Sequence, residues 1–147
     1  MTDRIEKSVE LKAPIERVWQ ALTDHQQFGA WFLVRVDGPF AVGEDSTGQM
    51  TYPGYEHYKW TATVTAMEAP TRFAYTWPHA DEHGTEYEDE PRTLVEFRLE
   101  PAGTGTRLTV VESGFDRLSP ERRARALKSN TGGWEEQMGN VKAYVDG

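Results

Sequence analysis

Glu112 is the acidic residue of this sequence with the least expected position. The stretch 106–113 alternates, and Glu112 shares a face with Leu108 and Val110 rather than with the polar side chains. A carboxylate on an apolar face is costly unless it is paired or hydrogen-bonded. We therefore expect Glu112 either to orient a polar ligand group or to act as an acid or base. The alternative is a carboxylate at the strand end that reaches water or an arginine.

The histidines offer a second possible chemistry. Residues 79–83 read His-Ala-Asp-Glu-His, and two histidines with carboxylates between them can bind zinc or nickel. The stretch continues into the acidic residues 85–90, where a spacing of four has no helical meaning. We therefore predict a solvated acidic loop and no metal site. His25 and His57 stand alone in the sequence, so no catalytic residue is predicted.

Aromatic side chains on the inner faces of the predicted strands and the last helix suggest a ligand cavity. Tryptophan and tyrosine combine an apolar ring with a polar group, and methionine fills irregular space, so such a lining suits a hydrophobic or aromatic ligand. The alternative is plain core packing without room for a ligand. The predicted ligand-binding residues are Trp31, Phe32, Met50, Trp60, Tyr75, Trp77, Phe97, Glu112, Trp134 and Met138.

Alternating apolar and polar residues predict the strands that carry these side chains. One face of each strand is apolar and the other polar, as expected for an antiparallel sheet that is covered on one side. The predicted strands are 4–12, 33–37, 46–52, 57–67, 71–78, 92–100 and 106–113.

Helical spacing predicts two short helices after the first strand and a long one at the end. Pro14 opens the first helix, and Asp24 can cap the second. Another helix starts at Ser119-Pro120-Glu121, and Gly132-Gly133 predicts a break near 129–132. The main helix then runs to about Val145, with a stripe of Trp134, Met138, Val141 and Val145. A lone amphipathic helix after antiparallel strands buries that stripe across the concave face of the sheet.

Length and charge exclude several classes of protein. The 147 residues suit a single domain, 1–147, and the absence of cysteine excludes disulfides and thiolate metal sites. A net charge of -8 argues against nucleic acids and anionic membranes as partners. No secretory signal or membrane-spanning stretch is visible, so we expect a cytoplasmic protein. The basic stretch 117–128 is expected to be a solvated helix face or to meet an acidic partner.

Several segments together resemble one protein family over nearly the whole chain. They are Ala13-Pro14, Val18-Trp19, Leu22-Thr23, Trp31-Phe32, Trp60-Thr61-Ala62-Thr63-Val64, Phe73-Ala74-Tyr75-Thr76-Trp77, Thr106-Arg107-Leu108-Thr109, Glu112-Ser113-Gly114-Phe115 and Gly133-Trp134. In this order they resemble the START-like (SRPBCC) superfamily, and within it the homologues of the activator of the ninety-kilodalton heat-shock-protein ATPase. The resemblance implies an α+β helix-grip fold. In that fold a seven-stranded antiparallel sheet wraps around a long C-terminal helix, with two short helices after the first strand.

The resemblance and the residues together favour binding of a small hydrophobic or aromatic molecule between sheet and helix, for transport, sequestration or sensing. Two alternatives stay open. One is a co-chaperone in the stress response, with a heat-shock chaperone as partner. The other is a cyclase- or hydrolase-type enzyme that uses Glu112 with Tyr75 or His57. We expect a binding protein rather than an enzyme, with no cofactor, and a monomer and a dimer are equally compatible with the sequence.

Overall fold

The computed structural model describes residues 4–81 and 83–147, which form one antiparallel sheet and three α-helices. The strands are β1 Ile5–Leu11, β2 Val34–Val36, β3 Asp45–Met50, β4 Lys59–Glu68, β5 Arg72–Trp77, β6 Thr93–Ala102 and β7 Gly105–Ser113. The helices are α1 Ile15–Thr23, α2 His25–Phe32 and α3 Pro120–Asp146, with a short 3-10 helix at Phe115–Arg117. None of the described helices is long and apolar enough to cross a membrane.

The seven strands form a single sheet in the order β1-β7-β6-β5-β4-β3-β2, and every neighbouring pair is antiparallel. Alternation sets the inner face as predicted: on β6, for example, Val95, Phe97 and Leu99 are buried. The α+β helix-grip architecture is thus confirmed, including the two short helices after the first strand.

The two short helices form where the sequence places them. Pro14 precedes α1, where its missing N–H is not needed. The Asp24 carboxylate accepts hydrogen bonds from the backbone N–H groups of Gln26 at 2.9 Å and Gln27 at 3.2 Å, which caps the start of α2. Phe28 and Trp31 of α2 are buried and pack on the aromatic inner face of the sheet.

The long helix α3 corrects one prediction. The expected break near 129–132 is wrong, because α3 runs without interruption for 27 residues, or about 40 Å. Gly132 and Gly133 disfavour a helix only through local propensity, about 1 kcal/mol each. Packing on both sides of the glycine pair outweighs that penalty, since Asn130 and Trp134 are both hydrogen-bonded to the sheet.

The C-terminal half of α3 is held against the start of the chain. Trp134, Met138 and Val141 are buried, as the predicted stripe requires. The Asp146 carboxylate accepts hydrogen bonds from the backbone N–H groups of Lys12 at 3.0 Å and Ala13 at 3.2 Å. The last turn of α3 is therefore tied to the segment that joins β1 to α1, which fixes the direction of the helix across the sheet.

Candidate functional site

Glu112 is fully buried and accepts hydrogen bonds from four side chains. Oε1 accepts from the indole Nε1 of Trp134 at 2.9 Å and from Asn130 Nδ2 at 3.0 Å. Oε2 accepts from Trp77 Nε1 at 2.8 Å and from the Thr93 hydroxyl at 2.6 Å. The alternative of a strand-end carboxylate that reaches water or an arginine is therefore wrong. The alternation of residues 106–113 correctly predicted that Glu112 points inwards.

Three strands and one helix bring these groups together. Glu112 lies near the end of β7, where it is paired with Val95 of β6. Thr93 begins β6 and is paired with Trp77, the last residue of β5. Asn130 and Trp134 are four residues apart on α3 and so lie on the same face of the helix. The carboxylate thus joins the sheet to the helix at one point.

His79 extends this network by one residue. Its Nε2 lies 2.8 Å from the Thr93 hydroxyl and 3.9 Å from Glu112 Oε2, and its side chain is only 10% exposed. Burial lowers the pKa of His79 below the ordinary value of 6.5, although the charges of Glu112 and Glu90 oppose the shift. The prediction of a solvated loop is therefore wrong for His79, which is buried. No cluster of potential metal ligands occurs in the described parts of the chain.

Tyr75 lies deeper in the same region and is fully buried. Its hydroxyl has no hydrogen-bond partner among the described residues. Burial, followed by the charge of Glu112, raises the pKa of Tyr75 well above its ordinary value. Tyr75 is therefore a neutral core phenol rather than an acid or base near neutral pH.

Beside the network, a cleft of about 660 Å³ opens to solvent at one end of the sheet–helix interface. It lies between α3, the end of β3, the start of β4, the end of β5 and the loop that connects β5 to β6. Eight phenylalanine, tyrosine and tryptophan residues line it, together with hydroxyl, amide and imidazole groups and the charged side chains of Lys59, Glu86, Arg122, Arg125 and Glu136. The lining residues include Phe32, Met50, Tyr52, Tyr55, Tyr58, Trp60, Trp77, His79, Tyr87, Arg122, Asn130, Gly132, Gly133 and Trp134.

The cleft contains half of the residues that the sequence predicts for ligand binding. Those that line it are Phe32, Met50, Trp60, Trp77 and Trp134. Those that lie in the packed interior instead are Trp31, Tyr75, Phe97, Glu112 and Met138. The middle of the sheet–helix interface is filled by rings, with centroids 5.6 Å apart for Trp77–Trp134 and 5.7 Å for Phe97–Trp134. Among the described residues, the cleft therefore lies to one side of this packed region.

Sequence reasoning missed several lining residues. Tyr52, Tyr55 and Tyr58 lie in the segment between β3 and β4, although the sequence placed Tyr52 and Tyr58 in the predicted strands 46–52 and 57–67. The spacing itself was a signal, since three tyrosines in seven residues is unusual for a connecting loop. Asn130 was missed because it lies within the predicted helix break, so it could not be assigned to a face of the helix.

A second group of contacts closes the loop between β5 and β6 against α3. The Arg122 guanidinium lies 3.8 Å from the centre of the Tyr87 ring. Its Nη1 also pairs with Asp89 at 2.9 Å and with Glu90 at 3.1 Å. The basic stretch thus meets an acidic partner within its own chain, and Tyr87 and Arg122 together form one wall of the cleft.

Comparison with known protein families decides the classification. The family described as "Activator of Hsp90 ATPase homolog 1-like protein" matches residues 12–146. The chain belongs to this family. No curated protein sequence matches the chain.

Solved structures show the same START-like fold. Protein Ms6760 from Mycobacterium smegmatis is 24% identical with a TM-score of 0.80, over 98% of this chain and 91% of that one. MLL2253 from Mesorhizobium loti is 25% identical with a TM-score of 0.79, over 97% and 96%. DynU16, from the dynemicin biosynthetic locus, is 21% identical with a TM-score of 0.77. The match covers 99% of this chain but only 48% of DynU16, so the chain spans about half of that protein.

The buried carboxylate makes a strong prediction for stability in this family member. In Glu112→Gln, the new amide N–H₂ faces at least two of the four donors, which then lack an acceptor. Because hydrogen bonds to a charged group are worth about 1.5–3 kcal/mol each, the loss of two predicts a decrease of about 3–6 kcal/mol in the free energy of unfolding. Urea denaturation measures it.

The matched control is Glu100→Gln, because Glu100 is 62% exposed and only pairs with Arg107. That variant should stay within about 0.5 kcal/mol of the parent protein. If the two variants lose the same stability, the role assigned to the Glu112 network is wrong.

The lowered pKa of His79 predicts a loss of stability on mild acidification. Between the native pKa and the ordinary value of 6.5, the unfolded chain binds more protons at this histidine than the native protein. Stability therefore rises with pH in that window and falls as the pH drops below about 6.5.

His79→Gln keeps an N–H donor for Thr93 but removes the titration. The decrease in urea midpoint between pH 7.5 and pH 5.5 should be smaller in this variant than in the parent protein. Equal decreases in both proteins would show that His79 is not the titrating group.

Proposed function

We propose that this protein binds a small hydrophobic or aromatic molecule in the cleft between the sheet and α3. The observation that carries the proposal is the volume of about 660 Å³ beside three indole rings, since pockets of this size and composition suit drug-sized organic molecules. The family supports a ligand-binding fold, and the polar groups among the rings could orient the bound molecule. The protein would act as a carrier, a store or a sensor in the cytoplasm.

The expected affinity follows from the apolar area removed from water. A two-ring aromatic compound that buries about 250 Å² gains about 6 kcal/mol at 25 cal/mol per Å², before the costs of immobilisation. The gain alone corresponds to a dissociation constant of about 40 μM, and the costs of immobilisation weaken it to the millimolar range or beyond for a fragment of this size. A larger molecule that fills the cleft would bind more tightly.

Gly132 and Gly133 support the proposal from the side of the helix. Both line the cleft, and a Cβ atom at either position would meet nothing within 4 Å. Neither glycine is required by a close contact, although each lowers the stability of the helix by about 1 kcal/mol relative to alanine. At both positions α3 presents only backbone to the cleft, so a larger side chain would add atoms beside it.

Binding of a small molecule is better supported than the other two functions. A co-chaperone would need an exposed docking surface, and the exposed large apolar side chains of the described residues are Val42 at 57% and Tyr55 at 53%. An enzyme that used Glu112 would need a carboxylate free to exchange a proton, and this one is buried under four donors. We therefore rank the co-chaperone function second and the enzymatic function third.

Cleft-filling variants test the proposal without disturbing the core. Gly132→Leu and Gly133→Leu should preserve or raise the stability of α3, by up to about 1 kcal/mol, because leucine is a better helix former. Each should abolish binding of 2-naphthol, used here as a two-ring aromatic probe. Binding is followed by ¹H–¹⁵N NMR shifts of the cleft residues.

Gly139→Leu is the matched control, since Gly139 is also open and helical but does not line the cleft. It should gain the same stability and bind the probe like the parent protein. If all three variants bind the probe equally, the cleft is not the binding site. If native mass spectrometry and thermal shifts across lipids and aromatic metabolites also show no ligand, the proposal fails.

A further inference from the structure

The Glu112 network fixes where the protons of its partners lie. An indole N–H can only donate a hydrogen bond, and one indole contacts each carboxylate oxygen. The ionised carboxylate has no proton to donate, so both oxygens of Glu112 are acceptors only. Every other group in contact with them must present a donor.

The Thr93 hydroxyl has a single proton, and it donates that proton to Glu112 Oε2 at 2.6 Å. Its oxygen can then only accept from His79 Nε2, which lies 2.8 Å away. His79 Nε2 must therefore carry the hydrogen, and in a neutral imidazole Nδ1 is left with a free lone pair. The buried charge thus selects the tautomer of His79 through one hydroxyl group.

Asn130 is oriented by the same charge. Its Nδ2 donates to Glu112 Oε1 at 3.0 Å, so its carbonyl Oδ1 is on the side away from the carboxylate. Oδ1 of Asn130 and Nδ1 of His79 bond to no described residue. Tyr75 carries the one buried side-chain polar atom of the described chain that lacks a partner, so both of these atoms remain accessible. Both residues line the cleft.

We propose that the cleft selects uncharged aromatic molecules that carry an O–H or N–H donor, with His79 Nδ1 as the main acceptor and Asn130 Oδ1 as the second. This inference rests on the proposed function, because it concerns the ligand of the same cleft. Lys59, Arg122 and Arg125 also line the cleft, so the selection acts at these two atoms. There a ligand carboxylate would meet two acceptors with a buried negative charge behind them, whereas a phenol or an aromatic amine would supply the missing donor.

The lowered pKa of His79 supports this assignment, since a neutral ring is required for Nδ1 to accept. The indole rings of Trp77 and Trp134 lie beside the same acceptors and line the cleft. An aromatic ligand would therefore bury its ring against the indoles while its hydroxyl group reaches the imidazole.

The tautomer can be measured without any ligand. Imidazole ¹⁵N shifts of the intact protein at pH 7.5, assigned by loss of signal in His79→Gln, should show a protonated Nε2 and a bare Nδ1 for His79. A protonated Nδ1 would overturn the inference and leave the proposed function untouched.

Ligand preference is tested with 2-naphthol, its methyl ether 2-methoxynaphthalene and 2-naphthoate, by NMR titration of the cleft residues. Since one net hydrogen bond changes affinity by about threefold to tenfold, 2-naphthol should bind more tightly than the ether by about that factor, and 2-naphthoate should bind more weakly than 2-naphthol. Equal affinities for the alcohol and the ether, or tighter binding of the carboxylate, would overturn the inference alone. If none of the three shifts the cleft residues, both the inference and the proposed function fail.

A variant pair assigns the preference to His79. His79→Phe keeps an aromatic ring but removes Nδ1, so it should bind the alcohol and the ether with similar affinity. His25→Phe is the matched control, because His25 does not line the cleft, and it should keep the preference of the parent protein. If His79→Phe retains the full preference for the alcohol, His79 is not the acceptor.

Discussion

The structure depends on a single buried charge, the carboxylate of Glu112. A carboxylate taken completely out of water is tolerated only when hydrogen bonds replace its hydration, and here four side chains supply them. Two of the donors lie on the sheet and two on α3. The rotation of α3 about its axis and its position along the sheet are therefore set by the need to present Asn130 and Trp134 to the carboxylate. Apolar packing alone would leave both freer, because it has no direction.

The same constraint explains why the cleft lies at one end of the interface. Trp77 on the sheet and Trp134 on α3 both donate to Glu112, and their rings stack with planes only 24° apart. This pair closes the middle of the sheet–helix interface, and Phe97 packs against it from below. The cleft lies beside the Trp77–Trp134 pair, at the part of α3 where Gly132 and Gly133 have no side chains. The loop between β5 and β6 borders that end, where Arg122 contacts Tyr87 and Asp89.

The sequence was sufficient to predict the strands and the inward direction of Glu112, because alternation reports directly which face a side chain occupies. It was insufficient for the ligand-lining residues, because alternation says nothing about position along the strand. Tyr75 and Trp77 share a face, yet Tyr75 is buried in the core and Trp77 borders the cleft. The continuity of α3 was missed for a related reason: helix propensity is local, whereas the contacts that hold Gly132 and Gly133 in the helix come from strands distant in the sequence.

A buried charge that orients its neighbours also determines the polarity of the surface beyond them. A group with both a donor and an acceptor that turns its donor towards Glu112 must turn its acceptor elsewhere, as Asn130 does directly and His79 does through Thr93. The hydrogen-bonding character of the cleft is thus linked to the stability of the core. Asn130, and His79 as long as its ring is neutral, cannot present a donor to the cleft without leaving the carboxylate short of one. A substitution that reversed the polarity of the cleft would therefore have to change the charge of residue 112 as well. In this protein the proposed ligand preference and the attachment of the helix to the sheet have the same physical origin.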